Sequence, residues 1–316
     1  MKRMKKMNDP YAPIVIFLYC RPDKTAALFD SLIKNPLSSL SDVYVFSDGP
    51  KNEKAREGVE AVREYLADPS LAGHFKSFTV DKAASNRGLA ASVIDGVGRV
   101  IEEYERAIVL EDDLTVSPVF LDYMNSCLDH YKKDKRIFSI SGYSPYLPSS
   151  SGYDKNVYLS YRASSWGWAT WKDRWDMVDW SVSDYAAFKY DPAANRRFMR
   201  GGNDLPSMLR AQMKGKIDSW AVRFCYCQSR NDMLSVAPVR SLVSNSGFDG
   251  TGTNCLPGDE SGFGRVNTDD EIREWCYDDL NTDPALTGDF YRYYHISIPV
   301  RIRDKVRELS GKGKKR

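Results

Sequence analysis

The chain has 316 residues with 42% hydrophobic and 12% aromatic content, enough apolar material for one large α/β domain or two small ones. Its formal net charge is +2, from 45 basic and 43 acidic residues, which predicts neither a nucleic acid nor another strongly charged partner. Six cysteines without paired C-x-x-C spacing favour reduced thiols over a zinc site or a disulfide framework.

Basic residues cluster at both ends of the chain. Residues 1–7 and 311–316 are solvated termini on the simplest interpretation, and contact with an anionic membrane surface is the alternative. The apolar run at 13–19 is far shorter than the roughly 20 residues of a membrane-spanning helix. Asp9 and Arg21 also break the pattern of a signal peptide. The sequence therefore predicts a cytoplasmic protein, with peripheral contact to the inner face of the membrane left open.

The first hundred residues alternate between strand and helix patterns. In chain order they predict a strand at 13–19, a helix at 24–35, a strand at 43–46, a helix at 53–66, a strand at 74–80 and a helix that Asn86-Arg87-Gly88 opens. The first three elements form a βαβ unit, whose connection should be right-handed. The second strand ends at Ser47-Asp48-Gly49-Pro50.

Three carboxylates follow the next predicted strand, at 107–110. Glu111, Asp112 and Asp113 repel one another by several kcal/mol at contact distance and an effective dielectric of about 20, so a cation should lie beside them. Oxygen ligands without His or Cys favour Mn²⁺ or Mg²⁺, held by one or two carboxylates while a substrate phosphate supplies the rest. A solvated acidic turn is the alternative. Because Asp48 also follows a strand, both acidic groups should lie at the ligand-binding edge of an open α/β sheet.

The middle of the chain is rich in aromatic residues. Ser117-Pro118 predicts a helix start, and strands are expected at 137–141 and 157–161. Five of the seven tryptophans fall between 166 and 180. They form either an aromatic core or an aromatic wall against a sugar or base.

Asp218 stands between two helical patterns, at 205–214 and 219–230. Taken alone, it is most simply a helix N-cap. A strand-like stretch at 234–243 leads into a segment rich in Gly and short polar residues, 245–264, which is either a linker or a mobile lid. The rest predicts only a short helix around 270–280, then an alternating and finally basic end that is either a solvated helix or a membrane contact.

Taken in order, these motifs resemble the GT-A-fold glycosyltransferases, most closely the inverting N-acetylglucosaminyltransferase I type and its bacterial relatives. The likeness covers roughly residues 12–256 and rests on 14–21, Ser47-Asp48-Gly49, Asn86-Arg87-Gly88, Glu111-Asp112-Asp113 with Val116-Ser-Pro118, Trp166-Gly167-Trp168, Asp218-Ser-Trp220 and the loop 245–254.

The resemblance implies an α/β, Rossmann-like GT-A fold whose mixed, mostly parallel central sheet is flanked by helices. It divides the chain into a basic tail (1–11), a catalytic domain (12–265) and a C-terminal extension with its own basic tail (266–316). Within the catalytic domain, 12–115 would form the nucleotide-sugar half and 116–265 the acceptor half and lid.

The same resemblance implies roles for particular residues. Asp48 would pair with the uracil of a UDP-sugar, Arg21 would lie near base and diphosphate, Asp113 would hold Mn²⁺, and Asp218 would be the catalytic base. The remaining expected donor contacts are Asn86, Arg87, Glu111 and Asp112. The expected acceptor wall and lid residues are Trp166, Trp168, Trp220, Asn245, Gly247 and Gly250.

The sequence therefore predicts an inverting, metal-dependent transfer of a sugar, GlcNAc-like by resemblance, from a UDP-sugar to a saccharide or lipid-linked acceptor in bacterial polysaccharide synthesis. The Asn86 segment lacks the His that some relatives carry there, and the acceptor half diverges. A non-catalytic protein that binds nucleotide-sugars or carbohydrates is the alternative. A sugar-phosphate nucleotidyltransferase fits less well, because Cys20-Arg-Pro-Asp23 stands where it would need a Gly-rich phosphate loop.

Overall fold

Strands near the start of the chain form a parallel group at one side of a large sheet. The computed structural model describes residues 10–247, 274, 275, 277 and 281–295. The strands in those ranges are β1 (Ile14–Leu18), β2 (Asp42–Ser47), β3 (Ser77–Lys82), β4 (Arg106–Glu111), β5 (Leu114–Val116), β6 (Ile137–Ser141), β7 (Val157–Ser160), β8 (Trp168–Trp171), β9 (Leu234–Pro238) and β10 (Val243–Asn245).

Eight of these strands form one sheet in the order β3-β2-β1-β4-β8-β6-β9-β7, and β5 pairs with β10 in a separate antiparallel ribbon. β1 is parallel to both β2 and β4, and β2 is parallel to β3. β8 and β7 run antiparallel to their neighbours. The predicted mixed, mostly parallel sheet is confirmed, and the carboxyl ends of β1, β2 and β4 lie side by side.

The central strand β1 has no polar face. Ile14, Ile16 and Leu18 enter one apolar core, whereas Val15 and Phe17 enter a second core on the other side of the sheet. Alternating side chains of a strand point to opposite faces, so an apolar run of this length requires cover on both. This is the physical reason for the helical layers above and below.

Helices provide that cover. They are α1 (Pro22–Ile33), α2 (Glu53–Tyr65), α3 (Pro69–Ala72), α4 (Leu89–Tyr104), α5 (Phe120–His130), α6 (Lys172–Trp175), α7 (Tyr185–Phe188), α8 (Pro192–Phe198), α9 (Leu205–Met213), α10 (Trp220–Arg230) and α11 (Pro284–Tyr293). α1 and α2 pack on one face, and α4 packs on β1 and β4 from the other. α10 lies against α4, which brings the residues before α10 towards the carboxyl edge. α11 packs on the β7 side through Leu286 and Phe290.

Three predicted boundaries differ from the structure by more than two residues or divide one predicted element in two. The strand expected at 74–80 begins only at Ser77, because α3 and its closing turns occupy the residues before it. The helix expected to start at Ser117-Pro118 begins at Phe120, because Pro118 and Val119 form a turn in which the Phe120 N–H donates to the Ser117 oxygen at 3.0 Å. The strand expected at 234–243 divides at Pro238 into β9 and β10, which belong to different sheets.

The four cysteines in the described ranges, Cys20, Cys127, Cys225 and Cys227, are free thiols. No helix of the described residues is both long enough and apolar enough to span a bilayer. The expected lid beyond Gly247, including Gly250, the short helix around 270–280 and both basic tails lie wholly or largely outside the described residues.

Candidate active site

Arg21 supplies positive charge beside the acid cluster of Glu111, Asp112 and Asp113. Its guanidinium donates from Nε to Asp112 Oδ2 at 3.1 Å and from Nη2 to Asp113 Oδ2 at 3.1 Å, with a further contact from Nη2 to Asp112 Oδ1. The pairing follows from topology, because β1 and β4 are adjacent and parallel and deliver their following residues to the same edge. Arg21 thus supplies part of the positive charge that the three carboxylates require.

Burial makes the remaining charge of the cluster costly. It raises the pKa of Asp113, although the charge of Arg21 opposes the shift. Burial, together with the charges of Asp113 and Asp112, raises the pKa of Glu111 to about 8, and a hydrogen bond from Trp220 acts the other way. Glu111 is partly exposed as a residue, but its Oε1 is buried and has no hydrogen-bond partner in the described part of the chain. Glu111 is therefore largely protonated at neutral pH when no metal is bound.

Replacing Glu111 by glutamine is expected to stabilise the metal-free protein at pH 8 and to change little at pH 5. The pKa of Glu111 rises from 4.5 in the unfolded chain to about 8 on folding. The contribution of Glu111 to the free energy of unfolding is therefore fully present below pH 4.5 and is lost as the pH rises towards 8. Since one pKa unit is worth about 1.4 kcal/mol, a gain of a few kcal/mol is expected at pH 8. Urea unfolding of both proteins at the two pH values measures it. An equal difference at pH 5 and pH 8 would contradict the raised pKa.

Asp48, the residue after β2, organises the segment that opens α4. Its Oδ1 accepts from the backbone N–H groups of Gly49 and Arg87, both at 2.8 Å. Its Oδ2 accepts from Asn86 Nδ2 at 2.9 Å and from the Gly88 N–H at 3.0 Å. A carboxylate has about four lone-pair sites, and all four are used. The direct contact from Asp48 to uracil that the resemblance implies is therefore not supported by this geometry.

Asp48, Gly49 and residues 86–88 form a unit that we call the Asp48 corner, and a second cation stabilises it. Arg63, in the last turn of α2, donates through Nη2 to the backbone oxygens of Ser47 and Asp48, both at 3.3 Å, and of Ala83 at 2.7 Å. Its Nε donates to Ser47 Oγ at 3.2 Å. Sequence reasoning missed Arg63, because a basic residue in the last turn of a polar helix looks like an ordinary partner of the helix dipole.

Substituting Gly49 by alanine is expected to open this corner. A Cβ at Gly49 would lie 2.5 Å from the carbonyl carbon and 2.7 Å from the Cα of Ser85, so one backbone segment must move. Overpacking of this kind costs about 1–3 kcal/mol. The matched control is Gly152→Ala, because a Cβ at Gly152 would meet nothing within 4 Å. Thermal denaturation of both variants measures the difference, and equal melting temperatures would contradict the close approach.

Asp218 lies beside that same segment. Ser219, not Asp218, caps α10, because its side chain accepts from the Val222 N–H at 3.3 Å. The simple N-cap interpretation of Asp218 is therefore wrong. The Asp218 side chain is 66% exposed, and its Oδ1 accepts from Arg223 Nη2 at 3.3 Å. Its Oδ2 would be 3.9 Å from a Cβ on Gly88, which places the carboxylate next to the start of α4.

The beginning of the expected lid touches the acid cluster. The Ser246 N–H donates to the backbone oxygen of Asp113 at 2.8 Å, and Lys24 Nζ donates to the backbone oxygen of Ser246 at 2.6 Å. Asn245 Oδ1 accepts from the Gly247 N–H at 2.6 Å. A Cβ at Gly247 would lie 2.5 Å from Asp113 Oδ2, so glycine allows the chain to pass directly over this carboxylate.

Two of the three tryptophans expected in the acceptor wall are buried in the protein core. Trp168 is 0% exposed and Trp220 is 3% exposed, and their rings stack at 4.8 Å between β8 and α10. The core interpretation of the tryptophan cluster is correct for these two, because their large apolar rings fill the space under α4. Trp166 is partly exposed at the carboxyl edge, with its ring 4.4 Å from that of Tyr143.

The Arg87 side chain does not point into the site. It is 46% exposed and pairs with Asp95 of α4 at 3.3 Å, so only its backbone N–H serves the Asp48 corner. Its expected contact to the donor therefore has no support from its side chain.

The residues present fit a hard metal ion that arrives with a phosphate. No group of three His, Cys, Asp or Glu side chains in the described ranges is arranged to hold an ion by itself. Mg²⁺ and similar ions are commonly held by one or two carboxylates together with substrate phosphates. Asp113 meets that need, since Arg21 contacts its Oδ2 only.

The fold is of the α/β class, with a mixed sheet flanked by helices, and the acidic and basic side chains described above lie at the carboxyl ends of its parallel strands. No protein-family model matches the chain, and no curated protein sequence matches it.

Solved structures show a distant likeness in fold. Crystal structures of S. aureus TarS include one at 14% identity and a TM-score of 0.29, over 38% of this chain and 20% of TarS. Another, of TarS residues 1–349 with UDP-GlcNAc, has 14% identity and a TM-score of 0.30, over 41% and 33%. The mannosyltransferase PcManGT from Pyrobaculum calidifontis, with GDP-Man and Mn²⁺, has 12% identity and a TM-score of 0.38, over 73% of each chain. The matched part is thus a fifth to a third of these TarS chains.

Proposed function

We propose that this chain is an inverting, metal-dependent glycosyltransferase of the GT-A type that uses a UDP-sugar. The observation that carries the proposal is the convergence of acidic groups from three distant parts of the chain, after β2, after β4 and before α10. Open α/β sheets bind their ligands at this edge.

Two orphaned polar atoms at the edge support a ligand there. Arg21 Nη1 is a buried donor and Glu111 Oε1 is a buried carboxyl oxygen, and neither has a hydrogen-bond partner in the described part of the chain. Unpaired buried groups of this kind cost about 1–3 kcal/mol each. A phosphate oxygen could accept a hydrogen bond from Arg21, and a sugar hydroxyl could form one with Glu111. A nucleotide-sugar carries both groups.

The spacing of the edge suits a nucleoside diphosphate. The Asp48 corner and the acid cluster lie on either side of β1, two strand spacings or about 10 Å apart. A base at the Asp48 corner would therefore place its diphosphate near Arg21 and Asp113. Bound at Asp113, Mn²⁺ or Mg²⁺ would stabilise the charge that develops on the leaving diphosphate.

Asp218 is the proposed general base. It is exposed and lies at the corner between α4 and α10, where an acceptor hydroxyl can approach from solvent. A carboxylate within hydrogen-bond reach of that hydroxyl takes its proton as the new bond to the sugar C1 forms. A single base on the face opposite the leaving group gives inversion at C1.

The finer parts of the proposal concern donor and acceptor. A GlcNAc-like donor sugar and a saccharide or lipid-linked acceptor of bacterial polysaccharide synthesis rest on the sequence resemblance. Contact with the inner face of the membrane, for a cytoplasmic enzyme, rests on the basic residues near both termini.

A thermal-shift screen of UDP-GlcNAc, other UDP-sugars and GDP-Man, with and without Mn²⁺, tests the proposal. The expected result is a shift for UDP-sugars that requires Mn²⁺, followed by slow release of UDP when no acceptor is present. A shift without any UDP release would favour the alternative of a non-catalytic binding protein. The absence of any shift with any nucleotide-sugar would overturn the proposed function.

A further inference from the structure

The four hydrogen bonds to Asp48 raise the question of which group recognises the base. A nucleobase at this corner must meet a side chain with an unused donor or acceptor. Asp48 has none left, because Gly49, Asn86, Arg87 and Gly88 fill its lone pairs.

The carboxamide of Asn86 has one fixed orientation. Its Nδ2 donates to Asp48 Oδ2 at 2.9 Å and to the backbone oxygen of Gly49 at 3.0 Å. Rotating the amide by half a turn would bring Oδ1 against those two acceptors and would lose both hydrogen bonds. Both N–H groups of the amide are therefore used by hydrogen bonds to Asp48 and Gly49.

The carbonyl oxygen of this amide, Asn86 Oδ1, can accept a hydrogen bond from a ligand. No hydrogen bond within the described residues reaches Asn86 Oδ1, and the residue is only half-buried. The corner around it is rigid, since Gly49 abuts the Ser85 backbone and Arg63 bridges three backbone oxygens beneath it. Asn86 Oδ1 is thus a preorganised acceptor at the sheet edge.

We infer that Asn86, rather than Asp48, recognises the nucleobase, and that its Oδ1 accepts a ring N–H. Uracil N3–H and guanine N1–H are such donors, whereas the corresponding nitrogen of cytosine is an acceptor and would oppose Oδ1. Asp48 acts as a positioning residue that fixes the amide. The inference rests on the proposed function, because it requires a nucleotide at this corner.

Calorimetric binding of UDP, N3-methyl-UDP, GDP and CDP in Mn²⁺ tests the inference. The wild type is expected to bind UDP at least about tenfold more tightly than N3-methyl-UDP and CDP, since a site built for a hydrogen bond rejects analogues that lack the donor. In Asn86→Ala, the ratio between UDP and N3-methyl-UDP should fall to about two- to threefold, whatever the overall loss of affinity.

The matched control is Asn195→Ala. Asn195 Nδ2 also donates to two backbone oxygens, those of Phe188 and Asp191, but it lies on α8 and keeps the wild-type ratio if the inference holds. Equal wild-type affinity for UDP and N3-methyl-UDP, or an unchanged ratio in Asn86→Ala, would overturn the inference while leaving the glycosyltransferase proposal standing. Preferred binding of GDP would support the inference and overturn the choice of UDP. The absence of binding by all four nucleotides would instead remove the proposed function, and the inference with it.

Discussion

Replacing Asp218 by asparagine is expected to lower the turnover of sugar transfer by about 10²- to 10⁴-fold, the usual contribution of a general base. UDP binding should stay within about twofold of the wild type, because asparagine keeps the size of the side chain and Asp218 supplies none of the hydrogen bonds that fix Asp48 and Asn86. Folding should also be unaffected, since Ser219 and not Asp218 caps α10, and the carboxylate is 66% exposed. Steady-state rates and calorimetric UDP binding measure the two effects separately.

The chain offers a close control for this variant. Asp232 is 68% exposed and pairs with Arg200, much as Asp218 pairs with Arg223, but it follows α10 at the far end of that helix. Asp232→Asn should keep full turnover. Full turnover in Asp218→Asn would show that another group removes the acceptor proton.

Replacing Arg21 by methionine is expected to destabilise the metal-free protein by about 3 kcal/mol at pH 8, because removing one partner of a largely buried ion pair leaves its carboxylates uncompensated. The loss should shrink at pH 5. Glu111 is protonated there, since its raised pKa of about 8 lies well above that pH. Mn²⁺ should recover part of the loss at pH 8, because a bound cation replaces the missing charge. Urea unfolding at both pH values, with and without Mn²⁺, measures all three effects.

The conservative variant sharpens this test. Arg21→Lys keeps the positive charge but cannot contact Asp112 and Asp113 at once through a planar fork, so an intermediate stability is expected. Stability of Arg21→Met equal to the wild type at pH 8 would show that the acid cluster does not depend on Arg21.

Sequence patterns predicted the position of those site residues that come directly after a strand. The apolar runs before Asp48 and Glu111 set both residues at one edge, because parallel strands end on the same side. The same reasoning predicted the mixed, mostly parallel sheet. These features depend on local periodicity, which a single sequence shows directly.

Features that depend on distant contacts could not be predicted in the same way. The pairing of Arg21 with Asp112 joins residues 91 positions apart, so the sequence demanded a cation there without showing which one. The saturation of Asp48 depends on backbone N–H groups of residues 87 and 88, which carry no side-chain signal.

Other errors had local causes. Asp218 and Ser219 are adjacent and both are good capping residues, so the pattern could not choose between them. A cluster of tryptophans looks the same in a sequence whether it lines a surface or fills a core. Trp168 and Trp220 are buried because α10 packs under α4, a contact that the sequence does not show.

The position of β1 also has a consequence for how the chain folds. Its two edges are closed by β2, which follows soon after, and by β4, which begins only at Arg106. At typical rates of synthesis, the ribosome needs on the order of 10 s to make the intervening chain. Throughout that interval an entirely apolar strand has one unpaired edge, the kind of template on which nascent chains aggregate. The first half of the protein is therefore expected to be most open to aggregation in the time before β4 pairs with β1.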